Sequence, residues 1–561
     1  MKTRRRRDRS GALLAQPIWQ GPRRWRLIAL VANGILQGVL SVSVARLAAD
    51  GYMHAMNSRA VSTALLGLLA GAGLLLGYLR YRERYDGEWL GQHYVAELRL
   101  RLFEHFVNAD LRAASRLSRG GLMLRFVTDL TGIRQWVAVG LPRMLVAVPA
   151  TLVVLLVLSI LTPWLGAAFA ALLTGGLWLG SRLSRRLERA VSVVRDRRGD
   201  LAATVADRIG AVATLQACGQ EWREVRRLRR QGQALNEALL RRARLGGVLR
   251  ALGESGGVLF TAAALGLGGL LVAWGSLPPR DLLVVMVLAG LFVPILRDIA
   301  QASDYRQGWR VSQQRARRVL MLPSKIHRRR RRDSRLPVGA EGRLRLSGLR
   351  LDGLAQPFDA VLEKDDRVLL TGPNAGAKSA LLQVLVGLWS VEGGEVWLDE
   401  FPLHLRGREL AGGEVALVAP ELRLLRGSIR RNLLYLNPEA EPDALVAALA
   451  DAGLESLLQR LPAGLDSRVG EDGSGLSRSE RARVALARAV LGQPRVLLLD
   501  DMGLATDATW QQALGNTLKH FSGVVLCVGS EPPHDGHRWR SWRMADAGIT
   551  EMLPGDDPMS P

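Results

Sequence analysis

The residues best suited to chemistry lie between Val368 and Leu388, in the run VLLTGPNAGAKSALLQVLVGL. An apolar run ends at Thr371, a glycine-rich turn follows, and a helical pattern opens at Lys378. A strand, a turn and a helix in that order make a phosphate loop. Its backbone N–H groups converge on phosphate oxygens at a helix N-terminus, where the macrodipole favours negative charge. Gly372, Pro373, Asn374, Ala375, Gly376 and Ala377 would wrap the phosphates. Lys378 would reach the outer ones as a point charge, and Ser379 would offer its hydroxyl to Mg²⁺. The pattern G-x-x-x-x-G-K-[ST] has glycine before the lysine, whereas this chain has Ala377, whose Cβ crowds a backbone that must hug a phosphate. On this stretch alone an ordinary glycine-rich strand-to-helix turn stays open.

The second candidate is the run RVLLLDD, Arg495 to Asp501. A buried strand that delivers an acid at its C-terminal end can hold Mg²⁺, usually through water. Asp500 is the candidate ligand. Alone, an apolar run ending in aspartate is nothing more than a strand leaving the core. Following a phosphate loop in the same domain, it becomes the second half of a nucleotide site.

Positioning these residues takes an α/β domain. Alternating or short apolar runs occur at Leu344–Leu351, Arg367–Thr371, Glu395–Leu398, Val415–Ala419, Val496–Asp500 and Val524–Gly529. Helical segments separate several of them, which predicts a largely parallel core sheet with the phosphate loop at a strand end.

The first 320 or so residues have a different character. Apolar stretches occur at Leu27–Ala45, Ala60–Leu79, Val139–Leu161, Trp164–Leu183, Val258–Leu277 and Leu282–Leu296. A bilayer core needs about 20 apolar residues per helix, so six spans are expected, the last one short before Arg297 and Asp298. Arginine crowds two connections: Arg80 to Arg125 between the second and third spans, and Arg185 to Arg250 between the fourth and fifth. The opposite connections are nearly bare. The positive-inside tendency puts both long loops and both termini in the cytoplasm. Within those loops Glu97–Phe106 and Leu201–Leu215 carry apolar residues at helical spacing, so the spans should continue as helices and end in short elements able to press on a soluble domain. Charges near membrane depth, Glu254, Arg297 and Asp298, should face a cavity or one another if within the bilayer. Arg297 with Asp298 reads equally as an interfacial pair or a substrate contact, and Glu254 as a solvated charge just outside the span.

The chain has 561 residues and a net charge of +24, with a pI near 11.2. That charge raises nucleic acid as a partner. Arginine instead falls in blocks between apolar runs, and at 5% the aromatics are too sparse for a base-stacking surface. Arg4–Arg7 and Arg328–Arg332 are read as solvated cytoplasmic charge beside a membrane, with a nucleic-acid or localisation patch as the alternative. Cys218 and Cys527 form no disulfide framework and no metal spacing. The basic N-terminus and following apolar stretch resemble a signal peptide, but no small-residue cleavage site follows, so an anchor that stays is expected. The expected domains are a basic tail over 1–23, a membrane domain over 24–322, a linker over 323–340, a nucleotide-binding domain over 341–548 and a tail over 549–561.

The order of these parts resembles the ATP-binding-cassette (ABC) transporters, specifically exporter-type half-transporters with one six-helix α-helical transmembrane domain fused to one α/β P-loop NTPase cassette. The resemblance covers about residues 25 to 530. RLFEHFVNADL followed by RGGLMLRFVTDLTGI looks like the family's first cytoplasmic loop, and GPNAGAKS like its Walker A loop. Gly427–Leu433 resembles the segment after the Q-loop, Leu461–Leu491 the signature region, and VLLLDD the Walker B strand.

The departures concern hydrolysis and adenine grip. The Q-loop glutamine position falls on Pro420, and the LSGGQ signature reads LSRSE over Leu476–Glu480. There Arg478 replaces a glycine, and Glu480 is expected to place negative charge near phosphates. The catalytic glutamate position holds Asp501, one methylene shorter, and the switch histidine position holds Ser530. No adenine-stacking aromatic lies near Leu351–Gly353. What is retained concerns binding: Lys378, Ser379 and Asp500, with Ser477 at a helix start. The resemblance therefore implies an ATP and Mg²⁺ site impaired in hydrolysis, in a multi-pass protein of the bacterial inner membrane with its cassette cytoplasmic. It implies a second half-transporter as partner, the same chain or, better, a different one, and a substrate the sequence does not identify. A regulatory or structural membrane subunit with a nucleotide-binding or inert cassette is the competing expectation.

Overall fold

The computed structural model describes residues 18–57, 62–114, 126, 130–323, 342–351, 353–391, 393–403 and 413–552, without the side chains of 292–297, 299–300, 303–304 and 401. The arginine blocks at Arg4–Arg7 and Arg328–Arg332, Arg125, the Arg297 side chain and nearly all of the expected linker lie outside these residues. The chain divides into two compact units: Met1–Val107 with Ser115–Leu322, and Asn108–Ala114 with Pro323–Pro561.

The first unit is helical. Its helices are α1 (Arg23–Met56), α2 (Thr63–Val107), α3 (Leu130–Leu161, with a π-helical turn at Trp136–Gly140), α4 (Pro163–Gly210), α5 (Val212–Ala217), α6 (Glu221–Ala273) and α7 (Pro279–Leu320). Prolines open α4 and α7, where a missing N–H costs nothing. Helices α1, α2, α3, α4 and α6 are long and apolar enough to cross a membrane. The sixth expected span, Leu282–Leu296, lies inside the continuous 42-residue α7. The arginine-rich connections are helical, as their periodicity predicts, because α2, α4 and α6 run on past their apolar stretches.

Lipid offers no hydrophobic drive between helices, so close backbone approach must hold them together. Glycines provide it. A Cβ at Gly34 of α1 would collide with the Val146 carbonyl of α3, and one at Gly38 would sit 2.9 Å from the Val153 Cβ. On α2, a Cβ at Gly87 would meet the Ala138 carbonyl in the π-turn, and one at Gly91 would lie 2.5 Å from the Ala138 side chain. Two carboxylates inside this unit are paired with arginines. Buried Asp86 takes Arg26 and, at 3.4 Å, Arg82. Asp298 meets Arg143 of α3 at 3.5 Å, while Glu254 is exposed.

The second unit holds β1 (Leu344–Arg350), β2 (Phe358–Leu362), β3 (Arg367–Thr371), α8 (Ala375–Leu385), β4 (Gly393–Leu398), β5 (Phe401–Pro402), β6 (Val415–Val418), β7 (Gly427–Ser428), α9 (Pro442–Asp451) and β8 (Arg468–Val469). It continues with α10 (Arg478–Leu491), β9 (Val496–Leu499), α11 (Ala508–His520), β10 (Val524–Val528), β11 (Arg540–Ala545) and β12 (Gly548–Met552). The main sheet runs β12-β11-β3-β10-β9-β6, parallel from β11 to β6, with β12 antiparallel at the edge. Two of the expected strands, β1 and β4, lie instead in a separate antiparallel sheet ordered β2-β1-β4-β5. Strand β12 pairs with β11 as far as Met552, past the domain end expected at 548.

Both faces of the main sheet are covered at its centre, so β6, β9 and β10 are buried along their length. Alternation in β3 divides the core: Val368 and Leu370 pack with α8, and Leu369 packs with α10 and α11. Cys527 on β10 is buried, and burial pushes its thiol up to about 12, whereas Cys218, just after α5, is exposed.

The glycine contacts predict a selective effect of size. Gly34→Leu should overpack the α1–α3 seam at a cost of ~1–3 kcal/mol, seen as a lower Tm in detergent. Gly71→Leu on α2, whose Cβ would point into open space, should leave Tm unchanged. Equal shifts would show that the seam does not depend on glycine.

Candidate functional site

The phosphate loop is set by what surrounds β3 and α8. Gly372 adopts φ +110°, and a Cβ there would strike the Met544 carbonyl of β11, so only glycine fits. Asn374 is the N-cap of α8: its Oδ1 accepts from the Ala377 N–H at 3.0 Å. Its Nδ2 donates to Asp546 Oδ1 at 3.1 Å and to the Gly353 carbonyl at 3.3 Å. The Asp546 carbonyl accepts from the Ala355 N–H at 2.9 Å. The β11–β12 turn thus braces the loop from outside. Asp546 was missed in the sequence because a residue distant in the chain and outside any motif carries no local signal. The helix opens at Ala375 rather than at Lys378, because Asn374 caps it; asparagine just before a helical run is the N-cap signal that marks this.

Lys378 folds back, its Nζ donating to the Gly372 carbonyl at 2.8 Å. The Ser379 hydroxyl donates to Asp500 Oδ1 at 3.1 Å, joining the start of α8 to the end of β9 across β10. Asp500 is only 7% exposed. Burial raises its pKa above the usual aspartate value, with Glu421 and Asp501 adding repulsion, against the hydrogen bonds from Ser379 and from the Asp501 N–H. Ser379 and Asp500 are therefore in contact, Lys378 is turned back onto the loop, and Glu421 is a neighbouring charge the sequence gave no reason to choose. A hydroxyl beside a buried carboxylate is a hard-oxygen pair that suits Mg²⁺ when phosphate and water complete the shell. Among the described residues no cluster of three His, Cys, Asp or Glu side chains could hold a metal ion alone.

Asp501 is committed elsewhere: its Oδ1 accepts from the Gly503 N–H at 2.7 Å, within its own turn. Ser530, after β10, is exposed, and so is Pro420, after β6. Ser477 begins α10 on another element, and its hydrogen bonds run to Glu480 rather than to the loop.

Glu480 departs from expectation. It is buried, closing a capping box in which its Oε2 accepts from the Ser477 N–H at 2.7 Å while the Ser477 Oγ accepts from its own N–H at 3.1 Å. Burial alone would raise its carboxyl, but the Ser477 N–H and Arg460 hold it below the usual glutamate range. Its charge caps a helix and pairs with Arg460. The spacing S-x-x-E carried that signal. Arg478 lies over the turn after Asp501, its guanidinium 2.6 Å from where a Cβ on Gly503 would be.

A bundle of membrane-crossing helices fused to a nucleotide-type α/β domain defines a transport ATPase architecture. The profile of the "ABC transporter transmembrane region" matches residues 26–296, and that of the "ABC transporter" cassette matches residues 356–502. The chain belongs to the ABC transporters, in the exporter-type half-transporter arrangement. It is 28% identical over 461 residues to a "Multidrug efflux ATP-binding/permease protein" of Mycobacterium bovis, across 80% of this chain but only 38% of that protein. It is 25% identical over 530 residues to an "ATP-dependent lipid A-core flippase" of Thiobacillus denitrificans, covering 90% of this chain and 88% of that one. A bacterial Atm1-family ABC exporter solved with ATP bound has the same fold, with a TM-score of 0.80 at 18% identity over 94% of both chains. Half-transporters of this kind dimerise and sit in the lipid bilayer.

The raised Asp500 pKa fixes a sign. A cation needs the carboxylate, so Mg²⁺-dependent ATP affinity should rise with pH through that pKa, above the ordinary value of 3.8. Stability of the metal-free protein should move oppositely, fully present below 3.8 and lost as pH rises through the raised value. Calorimetric titrations and melting curves taken from pH 3.8 upward test this, because Asp500→Asn should flatten both trends. Unchanged slopes in that variant would assign them to another group.

Proposed function

We propose that this chain is one half of an ABC exporter that binds ATP with Mg²⁺ at its own phosphate loop and hydrolyses it slowly. Binding draws two cassettes together, and their closure moves the membrane helices to carry a substrate across. The observation that carries this reading is the contrast between Asp500 and Asp501. Asp500 is held by Ser379 beside the phosphate loop, whereas Asp501, at the position of the catalytic base, is short and tied into its own turn by Gly503.

Each residue then has a task. The Lys378 amine would exchange the Gly372 carbonyl for phosphate oxygens, and Ser379 and Asp500 would hold the metal. When bound, Mg²⁺ neutralises charge on the phosphates. Without a well-placed base, turnover is slowed by ~10²–10⁴-fold. Pairing two copies would give two poor sites, which favours a different half-transporter as partner. The arginine-rich connections support a cytoplasmic cassette with both ends cytoplasmic, and the reading puts the protein in the inner membrane of a bacterium.

Force passes through the segment Asn108–Ala114, which follows α2 directly and packs as part of the second unit. There the Asp110 carboxylate accepts from the Ser390 N–H at 3.1 Å and from its hydroxyl, and Arg112 lies 5.2 Å over the Trp389 ring. Helix α5, in the second arginine-rich connection, buries no residue of its own, which suits docking on a partner's cassette.

The turn at Asp501 also favours a second reading, a regulatory subunit that binds nucleotide without turning it over. Purified protein distinguishes the two. Lysine-dependent turnover, lost in Lys378→Ala and raised in Asp501→Glu, supports the motor. Binding that Lys378→Ala abolishes, with no turnover in either form, supports regulation. No binding at millimolar ATP defeats both. Asp110→Ala should leave ATP binding intact while reducing ATP-driven transport in proteoliposomes. Undiminished transport would remove Asp110 from the coupling path.

A further inference from the structure

The membrane unit contains a cavity of about 1050 Å³ among α4, α6 and α7. Most of its wall is apolar. Gly175 and Gly176 of α4 and Gly256 of α6 line it, and a Cβ on any of them would meet open space. One end is different. Arg185 and Glu188 of α4 and Arg306 and Arg310 of α7 line it there. Glu188 is 3.6 Å from Arg310, while Arg185 and Arg306 make no ion pair among the described residues. Three arginines against one glutamate leave two positive charges in excess at that end.

Gln307 lines the same cavity. It is 4% exposed, and among the described residues neither its amide nitrogen nor its amide oxygen has a hydrogen-bond partner. A buried amide left unpaired costs roughly 1–3 kcal/mol, so it awaits a polar ligand group. The depth fits as well. Helix α4 is apolar from Pro163 to Gly180 and basic from Arg182 onward, so the cationic end lies where the helix passes from bilayer core to headgroup level.

We propose that this cavity binds an anionic amphiphile, with alkyl chains against the glycine-lined wall, a phosphate or carboxylate head between Arg185 and Arg306, and a head oxygen or hydroxyl on Gln307. This names the substrate class of the transport reading and rests on it, although binding itself needs no ATP. The head can belong to a bilayer lipid or to a free single-chain amphiphile.

The full-length protein in dodecyl maltoside is offered phosphatidylglycerol or phosphatidylcholine, and retained lipid is counted by native mass spectrometry. Phosphatidylglycerol should be retained over phosphatidylcholine by about tenfold or more, the equivalent of one charge-assisted hydrogen bond. Arg185→Gln with Arg306→Gln should erase that preference, and Gly256→Leu should expel both lipids, with Tm and ATP binding unchanged. Dodecyl phosphate that displaces phosphatidylglycerol would identify free amphiphiles as ligands too, and failure to displace it would restrict the site to bilayer lipid. Equal retention of the two lipids by the native protein, or an unaltered preference in the double variant, overturns the proposal. Vesicle transport separates the two readings. Phosphatidylglycerol bound but never moved by ATP sinks the transport reading and leaves the site. Movement that persists undiminished in Gly256→Leu sinks the site and leaves transport.

Discussion

The hydrogen bond from Ser379 to Asp500 ties together the two parts of the cassette that matter most. It reaches from the first turn of α8 to the end of β9, passing over the end of β10. The bond forms only if β3, β10 and β9 lie side by side and in register, as their parallel pairing places them. The core on either side of the sheet secures that register, because a one-residue slip in β3 would exchange Leu369 for Val368 and Leu370 between the two packed faces. A polar contact at the sheet's edge thus depends on apolar packing well below it.

The loop is equally constrained from the other side. Gly372 gives way to the Met544 carbonyl, and Asn374 is held by Asp546, so the β11–β12 hairpin closes the site although it lies outside every motif. In the membrane unit backbone proximity serves the same end, with Gly34 and Gly87 admitting α3 where larger residues could not. In both units the tightest contacts are made by what glycine lacks.

Much of this was legible from residue pattern. Buried runs such as VLLLDD and Val524–Gly529 announce central strands because nothing polar interrupts them, and five of the six apolar stretches lie in helices long and apolar enough to cross a membrane. Strands β11 and β12 were not legible. RSWRMA and GITEM mix charge with apolar residues as edge strands do, and such patterns also suit loops. The site divides in the same way. Lys378, Ser379 and Asp500 sit in local motifs, whereas Asp546 and Glu421 reach the loop only through the fold. The place of Glu480 follows from its three-residue spacing from Ser477, which makes a capping box, and not from its charge alone.

The unlike environments of the two cysteines have a practical side. With Cys527 sealed in β10 and its thiolate suppressed by burial, Cys218 is the one thiol among the described residues open to a maleimide or spin label. It follows α5, the short helix with no buried residue of its own. Label carried only on this chain, before a partner is added, then counts copies directly. Two identical halves give a dipolar distance between two spins, whereas a mixed pair gives one isolated spin.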